Sequence, residues 1–150
     1  MKIKNTLLLL LVLLALSTKV TLAQSTDFAG AQPTLPHYKA LYYLNESDPK
    51  KIKMTLRNID NAVEDPRLKG KLEVELVAYS DGYIVYDKNG PYEEMLKKLQ
   101  QKGVILAQCN NTLVERKIDR ATLFPFISFV PSANGEIIIR QSEGWATIHP

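Results

Sequence analysis

The chain has 150 residues, 19 Lys and Arg against 16 Asp and Glu, and a single cysteine. That length supports one self-sufficient core, and a lone cysteine excludes an internal disulfide framework. The net charge of +3 comes from Lys2, Lys4 and Lys19, which precede the first acid; the remainder is formally neutral and gives no electrostatic reason to expect nucleic acid.

Met1 to Thr6 is short and cationic, and an unbroken apolar run follows from Leu7 to Leu16. A helix needs about 20 apolar residues to cross a bilayer, whereas a signal-peptide core needs only about 7–15. Thr21-Leu22-Ala23 supplies small residues at the third and first positions before a cut. Residues 1–23 therefore read as a cleavable leader with cleavage after Ala23. The expected product is an exported protein, periplasmic or secreted, with no membrane span once mature. No cysteine lies near the cut, which argues against a lipid anchor. Gln24 to His37 has Gly30, Pro33 and Pro36 and no sustained periodicity, so it reads as a flexible lead-in to a domain over residues 38–150.

Lys39 to Leu44 is an apolar and aromatic run, a first strand ending at Asn45-Glu46. Asp48 is a helix N-cap and Pro49 suits the first helical position; Ile52, Leu56, Ile59 and Val63 then form one buried stripe. Leu72 to Tyr79 reads as a central strand, turned by Ser80-Asp81-Gly82 into a short helix or extension at Tyr83–Tyr86. Pro91 opens a helix with Tyr92, Met95, Leu96 and Leu99 on one face, stopped at Gly103. Glu93 and Glu94 in its first turn and Lys97, Lys98 and Lys102 later suit the helix dipole and make an ordinary solvated face. Val104 to Gln108 is a third strand that delivers Cys109, and Asn110-Asn111-Thr112 starts a short helix. Phe126 to Val130 is a fourth strand and Trp145 to Ile148 a last one. Between them, Asn134-Gly135 flanked by apolar residues reads locally as a β-hairpin, while Pro131-Ser132 with Glu136 reads as a helix start. The local balance favours the hairpin.

Alternating strands and helices predict a mainly parallel sheet with helices on both faces. Sites in such sheets form outside the carboxyl ends of the strands. That places Asn45-Glu46, Tyr79-Ser80-Asp81-Gly82, Cys109-Asn110 and Pro131-Ser132 at candidate positions. Phosphate loops and the Gly-x-Ser-x-Gly elbow are missing, so no cofactor is expected. One cysteine and two distant histidines argue against a metal site. His149 reads as a solvated terminus, and Glu73 and Glu75 as ordinary strand-face charges. Asn45-Glu46-Ser47 and Asn110-Asn111-Thr112 match the N-glycosylation pattern, which matters only in a eukaryotic secretory pathway.

Cys109 is the residue on which chemistry turns. At the end of a strand and the start of a helix, its sulfur lies near unpaired backbone N–H groups that favour the nucleophilic thiolate. The same residue also suits a small buried packing group, and the residues alone favour that reading. A lone thiol in an oxidising compartment is buried and inert, paired between chains, or kept for reactivity.

From Lys39 to Pro150 the chain resembles the DsrE/DsrF-like family, in particular its exported single-domain members. The resemblance is carried by Ile59-Asp60-Asn61-Ala62, by Gly103 to Leu113 with its Gln108-Cys109-Asn110-Asn111-Thr112 core, and by Arg140-Gln141-Ser142-Glu143-Gly144-Trp145. It implies a three-layer α/β/α domain with a five-stranded, mainly parallel sheet, assembled into a homo-oligomer. It also implies that Ser132 to Gln141 is a helix, against the local hairpin reading. It further implies sulfur relay, with Cys109 receiving sulfane sulfur as a persulfide from a donor and passing it to an acceptor. Asn110, Asn111 and Thr112 would then orient the bound species, with Asn45, Tyr79, Ser80, Asp81 and Gly82 completing the pocket. Many relatives carry His-Gly after the second strand, where this chain has Tyr79-Ser80-Asp81-Gly82. The alternative is a non-catalytic ligand-binding or assembly module on the same fold, with Cys109 as packing.

Overall fold

The computed structural model describes residues 27–150; the expected leader and its cut lie outside the described residues. Five strands, β1 (Tyr38–Leu44), β2 (Leu72–Ala78), β3 (Ile105–Cys109), β4 (Ser128–Val130) and β5 (Ala146–Ile148), form one sheet in the order β4-β3-β2-β1-β5. Every neighbouring pair is parallel. Four helices connect them: α1 (Pro49–Glu64), α2 (Glu93–Gln101), α3 (Asn110–Arg116) and α4 (Ala133–Ser142). This is the expected three-layer α/β/α architecture.

Handedness explains the layering. From β1 to β4 the chain steps one way across the sheet, and right-handed crossovers put the intervening helices on one face. The last step returns past β3, β2 and β1 to the far side of β1, so its helix must take the other face. The cores follow this division. Ile52, Leu56 and Ile59 of α1, Leu96 and Leu99 of α2 and Leu113 of α3 join one large cluster with Tyr42, Leu76 and Leu106. On the other face, Leu41, Val77, Ala107, Cys109, Ala133 and Trp145 form a small cluster beneath α4.

Local chemistry sets the ends of the elements. The Asp48 carboxylate accepts the Lys50 N–H at 2.9 Å, capping α1 with Pro49 at its start. Lys98 and Lys102 of the α2 segment clamp Asp60 on α1. The turn expected at Ser80-Asp81-Gly82 and the short helix or extension expected at Tyr83–Tyr86 are one 3-10 helix over residues 80–86, which buries Tyr86. Phe126 is excluded from β4 because its ring stacks on Phe124 and its carbonyl accepts Gln100 Nε2 at 2.8 Å.

The hairpin reading of residues 127–139 is overturned. Ser132 Oγ accepts the Gly135 N–H at 3.4 Å and the Ser132 carbonyl accepts the Glu136 N–H at 3.0 Å, so Asn134-Gly135 lies in the first turn of α4. At its other end Gly144, at φ +85°, carries the chain out of the helix, and Trp145 N–H returns to the Arg140 carbonyl at 3.0 Å.

Glu75 also departs from expectation, because it is not a surface charge. Only 1 % of it is exposed, and its Oε2 accepts Arg140 Nε at 2.9 Å. Arg140 also reaches Glu136 Oε1 at 2.8 Å and lies over the Trp145 ring, 4.4 Å from its centroid. Burial pushes the Glu75 carboxyl above its ordinary range, outweighing the pull of Arg140, and the Glu136 charge adds to the rise.

A carboxyl raised in the folded state binds its proton more tightly folded than unfolded. Its contribution to stability is fully present below the unfolded carboxyl value and is lost as pH rises through the folded one. Wild type is therefore expected to lose stability relative to Glu75→Gln as pH rises from the ordinary carboxyl range, about pH 4, toward neutrality. Denaturant titrations of both proteins across that range check it; a constant difference refutes it. Arg140→Leu, which strands the buried carboxylate, is expected to cost about 3 kcal/mol near neutral pH in the same assay.

Candidate functional site

The carboxyl ends of β2, β3 and β4 meet at a cleft of about 130 Å³. Tyr79, Cys109, Asn111 and Thr112, all expected at the site, line it. Glu115, Ser132, Ala133 and Asn134 complete the wall. Ser132 belongs to a strand end already marked as a candidate position; the other three escape the sequence reading. Glu115 follows from helical spacing, three and four residues after Thr112 and Asn111 on α3. Ala133 and Asn134 are hidden by the hairpin reading and come into view only as the start of α4.

Cys109 is 5 % exposed and forms part of the cleft lining. It occupies the N-cap position of α3, yet its side chain makes no capping bond to that helix. Its Sγ instead accepts the Ala133 N–H, the first of α4, at 3.3 Å. The donor thus comes from a helix of ten residues on the opposite layer, rather than from the short helix that follows the cysteine. A backbone N–H aimed at sulfur stabilises negative charge there and fixes the rotamer.

The rim is held by a latch between the β2 turn and α3. Ser80 adopts a left-handed conformation, φ +49°, and its N–H is taken by Thr112 Oγ1 at 3.0 Å. Arg116 reaches Ser80 Oγ at 3.1 Å and Asp81 Oδ1 at 2.6 Å. Gly82 is required because a Cβ there would stand 2.2 Å from the Leu44 carbonyl oxygen. Ser80, Asp81 and Gly82 therefore support the site without lining it. Asn110 does not line it either: its carboxamide oxygen faces Arg120 Nη2 at 3.4 Å. The Asn111 N–H donates to the Pro131 carbonyl at 3.3 Å, tying α3 to the end of β4.

Asn45 does not line the cleft, but its side chain acts on the Tyr79 phenol and opposes the effect of burial there. Burial pushes the Tyr79 phenol up from its ordinary value, so it is a neutral hydrogen-bond donor at physiological pH. Asn45 Oδ1 also meets His149 Nε2 at 3.0 Å, and the His149 ring stacks on Tyr43 with centroids 4.6 Å apart. His149 is exposed, as expected of a terminus, but it is held in place. Among the described residues no group of three or more His, Cys, Asp or Glu could hold a metal ion. Among them, too, no helix is long and apolar enough to cross a membrane.

Replacing the Thr112 hydroxyl leaves the Ser80 N–H without its partner at a strained turn. Thr112→Val is expected to cost about 1–3 kcal/mol, measured by chemical denaturation against wild type. No loss would show that the latch is dispensable.

No curated protein matches the chain. Among solved structures, a protein of unknown function from Methanobacterium thermoautotrophicum, MTH1491, is similar at 31 % identity and a TM-score of 0.70. That match covers 75 % of this chain and 99 % of the other. The DsrE/DsrF-like family profile matches residues 39–150, from the second residue of β1 to the C-terminus. The chain belongs to the DsrE/DsrF-like family, and it shares the α/β fold of its structural neighbour.

Proposed function

We propose that this is an exported sulfur-handling protein in which Cys109 carries sulfane sulfur as a persulfide. The observation that carries this reading is the Ala133 N–H bond to Cys109 Sγ at the wall of a cleft. The thiolate attacks the terminal sulfane sulfur of a hydropolysulfide monoanion or a hydropersulfide that enters the cleft. A new S–S bond forms on Cys109, the donor's S–S bond breaks, and the departing sulfur leaves with that electron pair as a thiolate. Tyr79 offers a phenolic donor at the cleft, and Asn111 and Asn134 offer carboxamides to orient the bound species. Residues 1–23 are the export leader, 24–37 the lead-in and 38–150 the working domain, which acts as a homo-oligomer.

A second reading is favoured by one observation. Cys109 packs within the small cluster beneath α4, so it also satisfies the requirements of a core residue. The protein is then a binding or assembly module.

Intact mass of the protein recovered from outside the cytoplasm, before and after exposure to polysulfide, separates the two. The expected mass begins at Gln24 and increases by one sulfur atom; reductant removes that increment, and Cys109→Ser lacks it. No increment, with a thiol that alkylates only after denaturation, establishes the packing role. A mass that retains residues 1–23 refutes the leader.

A further inference from the structure

The charge pattern of the cleft points to the kind of donor it accepts, an inference that rests on the carrier reading of Cys109. Among the described residues Glu115 is the one charged side chain in the lining, and no Lys, Arg or His lines the cleft beside it. The adjacent cation, Arg116, is turned away into the latch, neutralised by Asp81 at 2.6 Å. Three N–H groups at the start of α4 are committed: Ala133 to Cys109 Sγ, Gly135 to Ser132 Oγ and Glu136 to the Ser132 carbonyl. What remains of the helix end amounts to a partial positive charge of about one half, set against the full negative charge of Glu115. A dianion entering this cleft meets a carboxylate and, among the described lining residues, no cationic side chain.

We propose that the site selects sulfane donors carrying at most one negative charge, and that Glu115 is the specificity-determining residue that rejects dianions such as thiosulfate. Two probes isolate the effect. Thiosulfate and the methanethiosulfonate anion both present a terminal sulfur on a sulfonyl centre, and they differ by one unit of charge. In either case the Cys109 thiolate forms the new S–S bond and the donor's S–S bond breaks. Sulfite leaves from thiosulfate and methanesulfinate from methanethiosulfonate, each with the electron pair of the broken bond.

Rates of persulfide formation on Cys109 are measured by intact mass for both donors and normalised to those of a small free thiol. Glu115→Gln is expected to raise the thiosulfate-to-methanethiosulfonate rate ratio about 3- to 10-fold, and Glu115→Lys further. Glu115 is exposed, so neither change disturbs the core. In the unaltered protein, salt is expected to move the same ratio in the same direction by screening the carboxylate. A ratio unmoved by either variant and by salt overturns the selection while leaving the carrier reading intact. Cys109 taking no sulfur from either probe or from polysulfide overturns both.

Discussion

The handedness of strand–helix–strand connections governs this molecule more than any single contact. Three successive crossovers step toward β4 and place α1, α2 and α3 on one face of the sheet. The return to β5 leaves α4 alone on the other. Because the connection runs back across the sheet, α4 begins where β4 ends, at the carboxyl edge. Its first N–H therefore arrives beside the residue that ends β3. The meeting of Ala133 with Cys109 is a result of topology, and the two residues are 24 positions apart in the chain.

A solitary helix needs anchoring, and α4 is held at both ends by different means. At its start, Ser132 caps it and Cys109 Sγ accepts its leading N–H. Near its end, Arg140 threads between Glu75 on the sheet and the Trp145 ring. Removing Glu75 from water opposes its ionisation, yet the ion pair fixes which residues of α4 face the sheet. Apolar packing alone would do this poorly, because two of its consecutive isoleucines, Ile138 and Ile139, are 65 % and 54 % exposed. The cost of burying a charge is here offset by a defined register for the helix that builds the cleft wall.

Much of this was legible locally. Asp48-Pro49 and the Ile52, Leu56, Ile59 stripe define α1 from neighbouring residues alone, and the apolar run before Cys109 marks β3. The illegible parts depend on partners distant in sequence. Asn134-Gly135 has the composition of a hairpin turn, and it outweighs the local helix-start signal of Pro131-Ser132 and Glu136 until the topology places a helix there. Glu75 looks like a surface charge in an alternating strand because its partner, Arg140, is 65 residues away. At the site, the loop ends and Cys109 were in view. Glu115 and the α4 residues were not, since they follow only once both helices are correctly placed. The three segments that carry the family resemblance turn out to be structural joints: Asp60 clamps α2 to α1, Cys109 receives α4, and Arg140 closes over Glu75 and Trp145.

The bond between Ala133 and the sulfur makes α4 sensitive to whatever is attached at that position. A group on Sγ contends for the same N–H, so occupancy of the cysteine and seating of the helix are linked quantities. Ten residues of helix, about 15 Å of rise, carry that linkage to the opposite edge of the sheet. There the chain's single tryptophan lies buried, with Arg140 4.4 Å and the Lys39 ammonium 5.7 Å from its ring centroid. The protein thus holds its own optical reporter at one end of a lever whose other end rests on the thiol.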